Sequence, residues 1–138
     1  MTTAREIMTP DAVCVDERES VAEAARRMTG LDVGALPICG ADDRLKGVLT
    51  DRDIVTKVLG MGLSPEKCTV GELAQGEIVT IGADDEAHAI LRTMAAHKVR
   101  RLPVLDKGRL VGMVAQADVA RALPNPQVGE LLEALSTE

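Results

Sequence analysis

The chain has 138 residues, 46% of them apolar and 28% charged, and its 16 Lys and Arg stand against 22 Asp and Glu for a formal net charge of −6. A chain of that length buries roughly two-thirds of its unfolded surface, so one compact domain or two packed half-domains fit the composition and disorder does not. The acidic balance and the lack of any Phe, Tyr or Trp exclude a general nucleic-acid surface, which needs basic patches and stacking platforms, and an acidic-membrane surface.

Met1-Thr2-Thr3-Ala4-Arg5-Glu6 has none of the apolar core of a secretory signal, and no apolar run approaches membrane-spanning length, so a cytoplasmic location is expected. Cys14, Cys39 and Cys68 are odd in number and lack CxxC spacing, a pattern that points to neither a disulfide framework nor a self-contained zinc motif.

Residues 4–8 read as a helical turn, broken at Met8-Thr9-Pro10-Asp11 because Pro10 disfavours helix at the residue before it. Val13 and Val15 alternate with Cys14 as a short strand, closed by Asp16-Glu17-Arg18-Glu19. Ser20-Val21-Ala22-Glu23 is a capping box, and Val21, Ala24, Ala25 and Met28 follow at i, i+3, i+4, i+7, which predicts an amphipathic helix over 20–29. Residues 34–39 form a strand with Pro37 near its start or at a sheet edge, and 40–44 turn it into a hairpin with 45–49.

Gly47-Val48-Leu49-Thr50-Asp51-Arg52-Asp53 then runs a strand straight into a helix over 54–59. Two readings fit. As a cap, Thr50-x-x-Asp53 starts the helix, with Asp in the usual Glu position. As a site, the unpaired N–H groups of the helix start receive an anion such as a phosphate, Thr50 donates to it, and the acceptor-only Asp53 carboxylate grips the two hydroxyls of a ribose.

After the connector Gly60-Met61-Gly62-Leu63-Ser64-Pro65 the pattern begins again. At a shift of 66, Ile7 falls on Leu73, Val13 on Val79, Val15 on Ile81, Met28 on Met94 and Leu36-Pro37-Ile38 on Leu102-Pro103-Val104. The second helix repeats the stripe with Ala87, Ile90, Leu91 and Met94, and a one-residue-shorter turn places Gly112-Met113-Val114 and Asp118 opposite Gly47-Val48-Leu49 and Asp53. The expected fold is α+β: two repeated units, 1–62 and 63–122, each a three-stranded mixed sheet with flanking helices, packed sheet to sheet around a pseudo-twofold axis. A helical tail over 123–138, with Val128, Leu131, Leu132 and Leu135 as its stripe, follows the break at Leu123-Pro124-Asn125-Pro126.

The two copies resemble a tandem pair of CBS domains, the cystathionine β-synthase-type regulatory or Bateman module, over about residues 5–122. The resemblance rests on Ala35-Leu36-Pro37-Ile38 and Arg101-Leu102-Pro103-Val104, followed by Gly47–Asp53 and by Gly112-Met113-Val114-Ala115-Gln116-Ala117-Asp118. Within that family the chain is similar to the small standalone CBS-pair proteins of the actinobacterial hypoxic-response type, through Leu49-Thr50-Asp51-Arg52-Asp53-Ile54-Val55 and cysteines like Cys14 and Cys39.

The resemblance implies an adenosyl ligand (AMP, ADP, ATP or S-adenosylmethionine) in the cleft between repeats, with no required cofactor. Asp53 and Asp118 would take ribose and Thr50 phosphate, while Arg52, Gly47 and Gly112 belong to the motif. Val13, Val15, Ala35, Leu36 and Pro37 would enclose the adenine, and Arg100 and Arg101 stand where basic phosphate contacts are placed, or form a solvated pair at a helix end. Ala115 replaces the expected hydroxyl, so the second site is expected to hold phosphate less well.

If the strand of Cys14 lies parallel and adjacent to that of Cys39, the thiols come within disulfide range; otherwise they are two small buried hydrophobes. His88 and His97 read as surface residues, with His97, Cys14 and Cys39 as a remote metal-ligand set. The chain has no nucleophile elbow, HExxH, Walker loop or dinucleotide fingerprint, so no enzyme is expected. The working expectation is a homodimeric sensor in a stress response, acting in trans on an unknown protein partner; the alternatives are a ligand-free structural or redox-responsive homodimer and a metal-binding dimer.

Overall fold

The computed structural model describes residues 2–74, 78–123 and 129. The chain divides into two compact units, Val13–Ile78 and Met1–Ala12 together with Val79–Glu138. It opens with a one-turn helix α1 (Ala4–Ile7) and a two-residue strand β1 (Thr9–Pro10).

The unit Val13–Ile78 contains β2 (Val15–Asp16), α2 (Val21–Leu31), β3 (Ala35–Cys39) and β4 (Leu45–Thr50). A helical turn α3 (Asp51–Asp53) continues into a π-helical stretch, Ile54–Leu59, and a 3₁₀ turn follows at Val70–Leu73. Its sheet has the order β2-β3-β4, with β2 parallel to β3 at Val15↔Ile38 and β3 antiparallel to β4. The Ser20 hydroxyl accepts from the Glu23 N–H at 3.1 Å and so starts α2, which ends where Asp32 takes a left-handed conformation. Of the stripe read at Val21, Ala24, Ala25 and Met28, Ala25 is half-buried and the others are buried, and with Val15, Leu36, Ile38, Leu49, Ile54, Val58 and Val70 those three form this unit's core.

The other unit contains β5 (Ile81–Gly82), α4 (Ala87–His97), β6 (Arg101–Asp106), β7 (Arg109–Ala115) and α5 (Gln116–Ala122). Ile81 pairs with Val104 in parallel, the same register as Val15↔Ile38 at a shift of 66. Ile90, Leu91, Met94, Leu102, Val104, Val114 and Val119 make its core. In place of three strands this sheet has four, β1-β7-β6-β5, because β1 adds to β7 at Thr9↔Met113.

The leading segments of the two repeats are exchanged. Residues 3–8 match 69–74 at the shift of 66, yet α1 packs on the second repeat, donating from Ala4 N to Asp85 O at 2.8 Å and from Arg5 N to Ala83 O at 2.9 Å. The equivalent 3₁₀ turn packs on the first repeat, with Val70 N to Glu19 O and Gly71 N to Glu17 O, both 2.9 Å. Only glycine fits at position 71, since a Cβ there would lie 2.8 Å from Glu17 O.

Three local features differ from the sequence reading. Pro37 lies inside β3, the central strand, but β2 pairs only with Ile38 and Cys39, so at Pro37 the strand is bonded on one side. Val13 and Cys14 precede the strand, which begins at Val15. The third helix starts at Asp51 and becomes π-helical, with Gly60 N donating to Val55 O at 2.7 Å. The tail stripe Val128, Leu131, Leu132 and Leu135 falls outside the described residues.

Candidate ligand site

Strand β4 delivers Thr50 in an extended conformation (φ −111°, ψ 159°) onto the first turn of α3. The Thr50 hydroxyl accepts from Asp53 N at 3.1 Å, and Thr50 N donates to Asp53 Oδ2 at 3.0 Å, a reciprocal capping box. Lys57 Nζ lies 3.2 Å from Asp53 Oδ1. The box does not exhaust these groups. A carboxylate offers about four lone-pair positions and a hydroxyl keeps its proton when it accepts, so Asp53 retains acceptor capacity and Thr50 retains its donor. The junction rests on β3: Ala35 faces Thr50 in register, and Asp51 N donates to Gly34 O at 3.0 Å.

The second junction keeps half of this arrangement. Ala115 N donates to Asp118 Oδ2 at 2.8 Å, while Ala115 has no hydroxyl to return the bond, and Arg121 Nη2 sits 2.5 Å from Asp118 Oδ1. Asp118 therefore has a structural task of its own, and its retention without a hydroxyl partner does not by itself mark a ribose ligand. Arg101 occupies the register position facing Ala115, where the first junction has Ala35, and Gln116 N donates to Arg100 O at 2.8 Å. Both arginines are exposed. An open depression of about 510 Å³ lies beside this junction, lined by Thr2, Glu6, Ile7, Asp118, Arg121 and Ala122.

The remaining motif positions divide between surface and core. Val13 is 52% exposed, whereas Val15 and Leu36 belong to the core of their unit, so neither offers surface to a ligand in this conformation. Ala35 and Pro37 are buried along β3. Gly47 and Gly112 serve packing: a Cβ on Gly47 would meet Ala74 at 3.3 Å, and one on Gly112 would meet Met8 Sδ at 2.5 Å and Thr9 O at 2.7 Å. Arg52 is exposed, and its carbonyl accepts from Thr56 Oγ1 at 2.8 Å.

Cys14 and Cys39 are joined by a disulfide with Cα atoms 5.6 Å apart. The parallel register Val15↔Ile38 and Asp16↔Cys39 sets the residue before β2 beside β3, two positions out of step with Cys39, and the Cα separation lies within disulfide range. The two cysteines thus stand as a pair rather than as separate buried thiols, and His97 is exposed. Among the described residues no group of three or more His, Cys, Asp and Glu is placed to hold a metal ion. Arg27 holds the segment from below, donating to Cys14 O at 3.2 Å and pairing with Glu19 at 3.0 Å. Next to it, the Arg18 side chain and N–H hold the Asp16 carboxyl down to about 2.

Lys57, Arg121 and Arg27 were not singled out in the sequence. The first two sit at i+4 and i+3 from their carboxylates, a spacing that signals helical ion pairs. Arg27 carries no such local signal, because its partner Cys14 O lies across the unit.

A family model described as "CBS domain" matches residues 4–60 and 70–125. Hypoxic response protein 1 of Mycobacterium tuberculosis is 49% identical over 135 residues, covering 98% of this chain and 94% of that protein. A crystal structure of Hypoxic Response Protein I with two coordinated zinc ions is 51% identical with a TM-score of 0.81, covering 89% of this chain and all of that one. A crystal structure of CBSX2 in complex with AMP is 26% identical with a TM-score of 0.72, covering 88% of this chain and 96% of that one.

Proposed function

Because this chain belongs to the CBS domain family as a tandem pair, we propose that it is a standalone regulatory protein that binds an adenosyl ligand at the Thr50–Asp53 junction and acts in trans on a separate protein. The observation that carries this reading is the unspent hydrogen-bonding capacity of the cap: Asp53 keeps acceptor positions for a ribose diol and Thr50 keeps a proton for phosphate. The first N–H groups of the helix, expected from the sequence to be unpaired, are engaged instead, Asp51 N by Gly34 O, Arg52 N by the Asp51 carboxylate and Asp53 N by Thr50 Oγ1, so the phosphate contact rests on the Thr50 hydroxyl. The AMP complex of CBSX2 supports AMP as the first ligand to test, and ADP, ATP and S-adenosylmethionine share its adenosyl group. The likeness to hypoxic response proteins supports a stress-response setting. The protein works without catalysis, as a homodimer whose partner-facing surface shifts with ligand occupancy.

Equilibrium titration calorimetry of AMP, ADP, ATP and S-adenosylmethionine against wild type and Asp53→Ala tests the reading. Saturable binding to wild type, weakened at least tenfold in Asp53→Ala, is the expected result. Binding by none of the four ligands overturns it.

The Cys14–Cys39 bond favours a second reading, a ligand-free homodimer that responds to redox state. Native mass spectrometry under oxidising and reducing conditions distinguishes it by a change in subunit number with no adenosyl ligand retained.

A further inference from the structure

We propose that the Cys14–Cys39 disulfide is a redox control on the Thr50–Asp53 site, the oxidised chain binding the adenosyl ligand at least tenfold more tightly than the reduced one; this rests on the ligand reading above. The bond ties the segment of Val13, the exposed residue among those the resemblance places at the adenine, to β3. Cys14 lies between Val13, 52% exposed, and the start of β2, a strand of only two residues. Cys39 ends β3, whose first residue, Ala35, faces Thr50 in register. Apart from the disulfide, Cys14 is tethered by the 3.2 Å bond from the half-buried Arg27 to its carbonyl. Once the sulfur bridge opens, residues 12–14 regain conformational freedom, and a ligand that needs them in place must order them itself.

The second repeat is the internal control. At the shift of 66, Cys14 and Cys39 become Thr80 and Leu105, yet β5 and β6 keep the same parallel register, Ile81↔Val104. The strand pairing therefore forms without sulfur. The bond occurs only in the repeat that also carries the complete Thr50–Asp53 pair, which separates it from the common needs of the fold. In a reducing cytosol the disulfides that form are transient redox sensors.

The chemistry is a thiol–disulfide exchange with a dithiol as reductant. The Cys14–Cys39 S–S bond breaks, two cysteine thiols form with two electrons and two protons taken from the dithiol, and the dithiol leaves as its own disulfide.

The test is AMP and ATP titration of the oxidised protein, the protein reduced with dithiothreitol, and the Cys14→Ser/Cys39→Ser variant, each checked for fold by circular dichroism. Tighter binding by the oxidised protein, by tenfold or more, supports the proposal. Equal affinities overturn it and leave the ligand reading intact, whereas no binding in any state overturns both. A redox titration in mixtures of reduced and oxidised dithiothreitol, with the thiols trapped by maleimide and counted by mass spectrometry, does not depend on the reduced form staying folded. Saturating ligand should make the bond harder to reduce, a tenfold affinity ratio corresponding to a midpoint lower by about 30 mV. An unmoved midpoint overturns the coupling.

Discussion

Thr50 and Asp53 exchange two hydrogen bonds across the start of a helix, 3.0 and 3.1 Å long, whereas their counterparts Ala115 and Asp118 keep one, at 2.8 Å. The two repeats thus solve the same junction with different completeness, and the difference can be written in both directions. Thr50→Ala should destabilise its unit by about 1 kcal/mol, the usual cost of a lost side-chain cap. Ala115→Thr should return the missing acceptor and stabilise the other unit by up to about that amount. Urea unfolding followed by circular dichroism measures both; equal and negligible shifts would mean that the backbone half of the box suffices.

The repeat, the hairpins and the amphipathic stripes were legible in the sequence because periodicity reports which residues of an element share a face. Val21, Ala24 and Met28, and Ala87, Ile90, Leu91 and Met94, are buried as their spacing required. Periodicity does not say which sheet an element meets. That is why the exchange of 3–8 and 69–74 between repeats was hidden, and with it the fourth strand formed by Thr9 and Pro10. The cysteine pair was readable only as a conditional, since disulfide range depends on the neighbouring strand register. Gly47 and Gly112 looked like ligand positions because they sit in the motif, while their contacts with Ala74, Met8 and Thr9 give them packing roles.

Two glycine substitutions should act with opposite sign. At Gly112 a Cβ would lie 2.7 Å from Thr9 O and 2.5 Å from Met8 Sδ, so Gly112→Ala must push β1 off β7 and should cost about 1–3 kcal/mol, the range for overpacking. Gly30 lies in α2 with nothing within 4 Å of its virtual Cβ, and Gly30→Ala should stabilise by up to about 1 kcal/mol through helix propensity. Thermal unfolding of the two variants separates the cases, and a gain in Gly112→Ala would show that β1 is dispensable.

Acid should loosen the turn at Asp16. Its carboxyl is lowered from 3.8 to about 2 in the folded chain by hydrogen bonds from Arg18. A depressed folded value means that the ionised form is favoured by folding, so the contribution is complete above pH 3.8 and is lost as pH falls toward 2. Asp42 is lowered in the same direction, first by the Arg44 N–H. Carboxyl-carbon NMR should find Asp16 titrating near 2, moving back toward 3.8 in Arg18→Ala; an unshifted Asp16 in wild type would rule out the Arg18 contact in solution.

Reduction should weaken the unit Val13–Ile78 and spare the other. The Cys14–Cys39 bond spans a sequence separation of 25 and encloses all of α2, and closing a loop of that size removes unfolded-chain entropy worth between about 3 and 4 kcal/mol. That is a large share of the stability of a small domain, which totals about 5–15 kcal/mol. The loss should be local, because Thr80 and Leu105 leave the second repeat without an equivalent bond. Hydrogen exchange read by mass spectrometry should therefore speed up on reduction in β2, α2 and β3, with α4, β6 and β7 changing little. Uniform acceleration across both sets would mean that the two units unfold as one cooperative body, and no acceleration in either would mean that the core of Val15, Val21, Leu36 and Ile38 holds the first repeat without its sulfur bridge.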